Sequence, residues 1–163
     1  MLFVLYESAY PQTAVLGRLP GTSLYHNIKQ YPAAERYDGV AIIRIDAPIW
    51  FANAQNVRDK VRKYKNKALA ELRERNAGEQ IRYLIFDLAP VSHIDTTALQ
   101  ILEDMYVTQK KVGTQICFCN PGITVIERFV RSGLVDLVGQ EHFFSAVIDA
   151  VEWCLTDMES LVH

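Results

Sequence analysis

One acidic residue and two hydroxyl residues stand together at Asp95, Thr96 and Thr97, within the stretch PVSHIDTTALQIL. An apolar run precedes them and a helical pattern follows, so they are predicted to lie where a helix begins. A side-chain oxygen there accepts a hydrogen bond from a free helix N–H, which stabilises the helix by about 1 kcal/mol. A phosphate on either threonine would add about −1.5 to −2 charges, which the helix dipole would attract and Asp95 would repel. The residues alone favour a plain helix cap, and a regulatory phosphorylation site is the alternative.

Catalytic patterns are weak in this sequence. Ser92, His93 and Asp95 are close along the chain. Neighbouring residues of an extended chain point to opposite faces, however, and a catalytic triad assembles from distant parts of a fold. The sequence has no glycine-rich phosphate loop, no nucleophile elbow and no HExxH zinc pattern. We therefore predict neither an enzyme nor a bound cofactor or metal, and a local structural role for His93 and Asp95.

The cysteines follow no disulfide or metal-binding spacing. Cys117, Cys119 and Cys154 are an odd number, which indicates reduced thiols in a reducing compartment. Cys117 and Cys119 are two residues apart on a predicted strand, so their side chains point to the same face of that strand. No further pair of Cys or His follows at the spacing of a zinc site. These thiols are expected to act as small buried hydrophobic groups.

A long helix predicted to be capped by Asn53 has a mostly basic surface. Its narrow apolar stripe consists of Val57, Val61, Tyr64, Ala68 and Leu72. Its cationic residues are Arg58, Lys60, Arg62, Lys63, Lys65, Lys67, Arg73 and Arg75. A solvated face is the simpler interpretation, and contact with a partner or acidic lipid through Arg58, Arg62, Lys63 and Lys65 is the alternative. Nucleic acid is not expected as a partner, because the interleaved aromatic residues of single-strand binding are missing.

Length and composition predict one globular domain. The chain has 163 residues, and 50% of them are hydrophobic, which is enough for a sizeable core. The net charge of −2 gives no strong global attraction to nucleic acid or membrane. No stretch reaches the roughly 20 apolar residues that a membrane-spanning helix needs.

The chain alternates between strand and helix patterns, which predicts βαβ crossovers and a mainly parallel sheet covered by helices. Residues 40–53 open with a β-branched run typical of a buried strand, and Pro48 is expected near its end. The connection 25–39 is predicted to be irregular. The other predicted elements are strands at 13–22, 81–91 and 114–122, and helices at 97–112, 124–133 and 142–155.

The order of these elements, with HIDTTALQIL at the head of the second helix, resembles the STAS domain, which bacterial anti-sigma-factor antagonists share with sulfate permeases. Asp95, Thr96 and Thr97 match the acid and two hydroxyls of the antagonist motif, whose serine a partner kinase phosphorylates, and Ala98 replaces its glycine. Three stretches are similar to plant and algal sulfate transporters: TAVLGRLPGTSLYHNIKQYPAA, IIRIDAPIWFANA and RSGLVDLVG. The resemblance implies an α/β fold with a mainly parallel sheet of about four strands and helices mainly on one side.

The resemblance also implies a domain organisation and a setting. Residues 1–12 would be a membrane-proximal linker, in which MLFVLYES resembles the end of a membrane region. Residues 13–157 would be the STAS domain, and residues 158–163 a C-terminal tail. The chain would be the cytosolic, C-terminal part of a multi-pass, proton-coupled sulfate (anion) transporter.

The implied function is regulation through partner binding, with phosphorylation at Thr96 or Thr97 beside Asp95 as a switch. The implied partners are the transmembrane domain of the same polypeptide, a cysteine-synthesis enzyme, a kinase, or a second copy in a homodimer. The alternative is a free-standing phospho-switch protein of the antagonist type. A small enzyme has no motif to support it.

Overall fold

The computed structural model describes residues 13–28, 35–46, 51–78 and 80–163, so the predicted linker 1–12 and Pro48 lie outside the described residues. The strands are β1 (Thr13–Arg18), β2 (Tyr25–Asn27), β3 (Val40–Ile45), β4 (Tyr83–Asp87), β5 (Gln115–Cys119) and β6 (Phe143–Phe144). The helices are α1 (Phe51–Glu74), α2 (Thr96–Lys111), α3 (Ile123–Ser132), α4 (Leu134–Val138) and α5 (Val147–Ser160). A 3-10 turn covers Gln140–His142.

The strands form one sheet in the order β2-β1-β3-β4-β5-β6. Strands β3 to β6 are parallel, in a register that places Ile43 beside Phe86 and Phe86 beside Phe118. The predicted parallel sheet of about four strands is therefore confirmed. Strands β1 and β2 extend it by antiparallel pairing, and a turn at Pro20 and Gly21 connects them.

Three predicted boundaries are wrong. The segment 25–39 is not irregular throughout, because Tyr25–Asn27 pairs with β1; three residues are too few for a recognisable strand period. The start of 142–155 is not helical, because Phe143–Phe144 pairs with β5 and the helix begins only at Val147. Asn53 is not a cap, because α1 already begins at Phe51.

Both faces of the central strands are buried, and successive residues contribute to different cores. Ile43, Leu84 and Phe118 belong to a core that also contains residues of α1, α2, α3 and α4. Ile42 and Ile85 belong to a second core, which α5 covers. Helices thus pack mainly on one side of the sheet, as predicted.

Phe118 is the centre of an aromatic cluster in the larger core. Its side chain is fully buried, and its ring lies 5.8 Å from the ring of Phe86, 5.5 Å from that of Phe129 and 5.4 Å from that of Phe143. The cluster joins β4, β5, α3 and β6, so the short β6 is held by side-chain packing as well as by backbone pairing.

Phe118→Ala should lower the free energy of unfolding by about 3–5 kcal/mol, because it removes these contacts and leaves a cavity. Urea denaturation measures the change. Val130→Ala on the exposed side of α3, where the valine is 59% exposed, is the matched control and should change stability by less than about 0.5 kcal/mol. Similar losses in both variants would contradict the assigned core.

Tyr83 fastens α5 to the sheet through a hydrogen bond from its hydroxyl to the Asp157 carboxylate. Burial, together with this bond, raises the pKa of Tyr83 above its usual value near 10. The folded state therefore favours the protonated phenol, and this contribution to stability is present below pH of about 10 and is lost as the pH rises further.

Tyr83→Phe should accordingly flatten the alkaline decline of stability. Above pH of about 10, the free energy of unfolding should fall less steeply in the variant than in the parent chain. Urea titrations across the alkaline range test this, and identical slopes for the two proteins would contradict the role of Tyr83.

Candidate functional site

Three helices begin at one edge of the sheet. Strands β3, β4 and β5 run in the same direction and are followed by α1, α2 and α3. Their carboxyl ends and the amino ends of the helices therefore lie at the same edge, which is the usual position of ligand and regulatory sites in open α/β sheets. Asp95, Thr96 and Thr97 stand at this edge, where α2 begins.

Asp95 is the N-cap of α2. Its backbone is extended (φ −89°, ψ 171°), and its Oδ1 accepts a hydrogen bond from the Ala98 amide at 2.8 Å. Its carbonyl accepts from the Leu99 amide at 3.0 Å. The side chains of Ile94, Ala98 and Leu99 are buried in the larger core on either side of the cap, so packing fixes where the helix begins. Of the three predicted capping candidates, the carboxylate takes the role.

Thr96 and Thr97 are left as the first two residues of α2, and both are exposed. Ala98, which follows them, is fully buried. The two hydroxyls therefore face solvent at the positive end of a 16-residue helix, and neither is needed for the cap.

The other polar groups of this edge are held by the fold. Asp87 is 8% exposed and accepts hydrogen bonds from the Ala89 amide at 3.1 Å and from Nδ2 of Asn120 at 3.2 Å. Asn120 has a positive φ of 55°, which asparagine tolerates better than most residues. Arg44 forms an ion pair with Asp46 at 2.5 Å. The hydrogen bond from Asn120 joins the ends of β4 and β5, and the two hydrogen bonds give Asp87 a structural role.

The four predicted contact residues of α1 divide into two groups. Arg62 and Lys63 are exposed. Arg58 is half-buried in a cleft between α1 and α2. Lys65 is half-buried, and its amine donates to Oε1 of Gln109 and, at 2.9 Å, to Oγ1 of Thr114.

Lys65 therefore fixes α1 against α2 and β5. The Thr114 hydroxyl in turn donates a hydrogen bond to the Ile81 carbonyl at 2.7 Å. Burial lowers the pKa of the Lys65 amine. Sequence reasoning missed this role because it counted cations without asking which side of the helix each one occupies. Arg58 and Lys65 lie three before and four after Val61, so both follow the spacing of the apolar stripe.

The three cysteines are fully buried in the second core. A hydrogen bond with Cys154, together with burial, raises the pKa of the Cys117 thiol, and burial raises the pKa of the Cys119 thiol. Both groups stay protonated at neutral pH, so they act as small hydrophobic side chains, as predicted. Within the described ranges, no three His, Cys, Asp or Glu side chains are grouped so that they could hold a metal ion.

No helix in the described part of the chain is both long enough and apolar enough to cross a membrane.

Comparison with known proteins identifies the fold class and the family. The STAS domain family matches residues 31–150, and the chain belongs to this family. Sulfate transporter 4.1, chloroplastic, of Arabidopsis thaliana is 44% identical over 163 residues, a match that covers 98% of this chain and 23% of the transporter. The chain thus spans about 23% of the length of this curated relative.

Solved structures agree with this fold. The murine Slc26a9 anion transporter, in its inward-facing state, superimposes with a TM-score of 0.77 at 26% identity over 95% of this chain and 24% of that one. The anti-sigma-factor antagonist SpoIIAA, in its unphosphorylated form, gives a TM-score of 0.55 at 15% identity over 75% of this chain and 93% of that one. The second likeness concerns the fold alone.

Asp95→Ala should lower the free energy of unfolding by about 1 kcal/mol, because it leaves the Ala98 amide without its acceptor. Asp95→Asn keeps an acceptor oxygen at the same position and is the matched control, with little change expected. Thermal and urea unfolding of the three proteins measure the difference. If both variants lose the same stability, the charge of Asp95 matters more than its hydrogen bond, and the capping role is wrong.

Proposed function

We propose that this chain is the cytosolic regulatory domain of a proton-coupled sulfate (anion) transporter, and that it acts by binding partners. The observation that carries the proposal is the pair of exposed hydroxyls on Thr96 and Thr97 where α2 begins, in a domain whose curated relative at 44% identity is a sulfate transporter. Partner binding is the expected mode of action, because the two hydroxyls face solvent, whereas Asp87 and Asn120 at the same edge are held in structural contacts.

Phosphorylation of Thr96 or Thr97 is the switch that we propose. The first N–H groups of a helix have no partner within the helix, and they attract a phosphate both by hydrogen bonding and through the helix dipole. Asp95 already occupies the Ala98 amide at 2.8 Å, so a phosphate would meet a carboxylate at close range. The attraction of the helix N-terminus for the phosphate and the repulsion by the Asp95 carboxylate oppose each other. The added charge would change the electrostatic surface that a partner contacts, without requiring a change of fold.

The replacement of the antagonist motif's glycine by Ala98 is compatible with modification of these hydroxyls. The Ala98 side chain is fully buried, so its methyl group points into the core and away from the surface that a kinase would approach. Its amide serves the Asp95 cap. The exposed surface beside the two threonines is therefore no more crowded than a glycine would leave it.

The first partner that we propose is the transmembrane domain of the same polypeptide. A kinase, a cysteine-synthesis enzyme and a second copy of the chain are further partners to test. A free-standing antagonist-type protein is the second candidate, and the likeness to SpoIIAA is its support. That likeness extends over the fold at 15% identity, whereas the transporter relative is 44% identical, so the transporter is the better-supported setting.

Thr96→Ala and Thr97→Ala should leave the isolated domain folded and should reduce sulfate uptake several-fold when introduced into the transporter polypeptide. Loss of the exposed hydroxyls should change the free energy of unfolding of the domain little, since Asp95 provides the cap. Uptake of labelled sulfate in a transport-deficient host, together with membrane abundance of the protein, measures the effect.

Thr124→Ala is the matched control. Thr124 is also exposed and also occupies the second position of a helix, α3, but Gly122 rather than an acidic residue precedes that helix. Its replacement should leave uptake unchanged. The switch is wrong if uptake survives in the Thr96 and Thr97 variants, or if those variants lose transport only because the isolated domain unfolds.

A further inference from the structure

Exposed cations of two neighbouring helices share one surface. Arg62, Lys63 and Lys67 are exposed on α1, and Lys111 is exposed in the last turn of α2. The contact between Lys65 and Gln109 sets the turn of α1 that carries the first three beside the end of α2 that carries the fourth. We call Arg62, Lys63, Lys67 and Lys111 the basic surface.

Among the described residues, no ion pair neutralises the charges of the basic surface. In the part of the chain that the structure describes, the carboxylates that form ion pairs with arginine do so with other residues, such as Glu71 with Arg36 and Asp38 with Arg75. Nε of Arg58 is buried without a hydrogen-bond partner among the described atoms. The remaining positive charge is therefore available to an external anion, although Asp59 and Glu74 flank the surface along α1.

The cleft between α1 and α2 opens beside these cations. Arg58 and Arg62 line it one helical turn apart, with Thr108 and Gln109 opposite them. Guanidinium, hydroxyl and amide groups can all donate hydrogen bonds to a phosphate oxygen. Asp104 shares the cleft, and its carboxylate offsets one of the two positive charges of Arg58 and Arg62. The cleft suits a single phosphate group that is held mainly by the surrounding cations.

We propose that the basic surface binds the phosphate headgroups of an anionic membrane. This inference rests on the proposed function, which sets the domain beside a membrane, where attachment to the transmembrane region raises the effective lipid concentration. Each basic residue near an acidic bilayer favours binding about fivefold. The four residues of the basic surface together favour binding about 600-fold, so the effect can be measured with the isolated domain, even though the whole chain has a net charge of −2.

The proposed orientation leaves the threonine edge accessible. Helices α1 and α2 run in parallel. Asp104, the nearest α2 residue of the cleft, is about 8 residues from Thr96 and Lys111 is about 15, which corresponds to about 12 to 22 Å along the helix. That distance exceeds the Debye length of about 8 Å at physiological salt, so a phosphate at Thr96 would be largely screened from the basic surface. Membrane contact at one end and partner binding at the other are physically compatible.

Sedimentation of this chain with vesicles tests the proposal. The vesicles contain equal parts of phosphatidylglycerol and phosphatidylcholine, and vesicles of phosphatidylcholine alone are the reference. We expect binding only to the anionic vesicles, with an affinity that falls as salt is raised. Replacing Lys63→Gln and Lys67→Gln together should lower the partition coefficient about 30-fold, while circular dichroism remains unchanged.

The matched control replaces Arg128→Gln and Arg131→Gln on α3, which removes the same net charge from another surface. It should reduce binding much less. Equal losses in the two double variants, binding that ignores salt, or no binding to anionic vesicles would each overturn the proposal. Tighter binding to poly-glutamate than to vesicles would overturn it in favour of an acidic protein partner. None of these outcomes bears on Thr96 and Thr97, whose test is sulfate uptake.

Discussion

The parallel pairing of β3, β4 and β5, with both faces buried, is the constraint on which the rest of the structure depends. Alternate side chains of each strand enter different cores, so that Phe86 packs beneath the four helices of one face and Ile85 beneath α5. A shift of one residue in register would exchange these two sets and bring the side chains of each core into the other. The direction of the strands also decides where the helices begin, and thereby brings the amino ends of α1, α2 and α3 to one edge.

At that edge, the residues that stabilise the first turn of α2 are different from the residues that are exposed to solvent. Packing of Ile94, Ala98 and Leu99 and the hydrogen bond to Asp95 fix the first turn of α2 from the inside. Thr96 and Thr97 point outward from the same turn and add little to its stability. A modification of either hydroxyl would therefore change the exposed surface of this edge rather than the core.

The sequence predicted those elements whose period was long enough to be read. The apolar runs of β3, β4 and β5 and the apolar stripe of α1 are of this kind, and they were sufficient to predict a mainly parallel sheet. Strands β2 and β6 have only three and two residues and form by pairing with a neighbouring strand. Segments this short have no periodic pattern from which a strand could be predicted. The threonines were correctly expected at a helix start, because acidic and hydroxyl side chains favour that position for reasons local to the chain.

The charged residues of α1 show why composition alone could not predict which cations lie on the exposed surface of the helix. The seven cations of α1 look equivalent in the sequence, but their effect depends on the angle around the helix axis. Lys65 lies at the spacing of the buried stripe, so its amine serves Gln109 and Thr114, while Lys63 and Lys67 lie on the opposite side and face solvent. The contacts of the Lys65 amine fix how α1 packs on α2 and therefore which exposed cations of the two helices lie close together. An internal hydrogen bond thus determines the shape of an external electrostatic surface, and the two can be understood only from the folded chain.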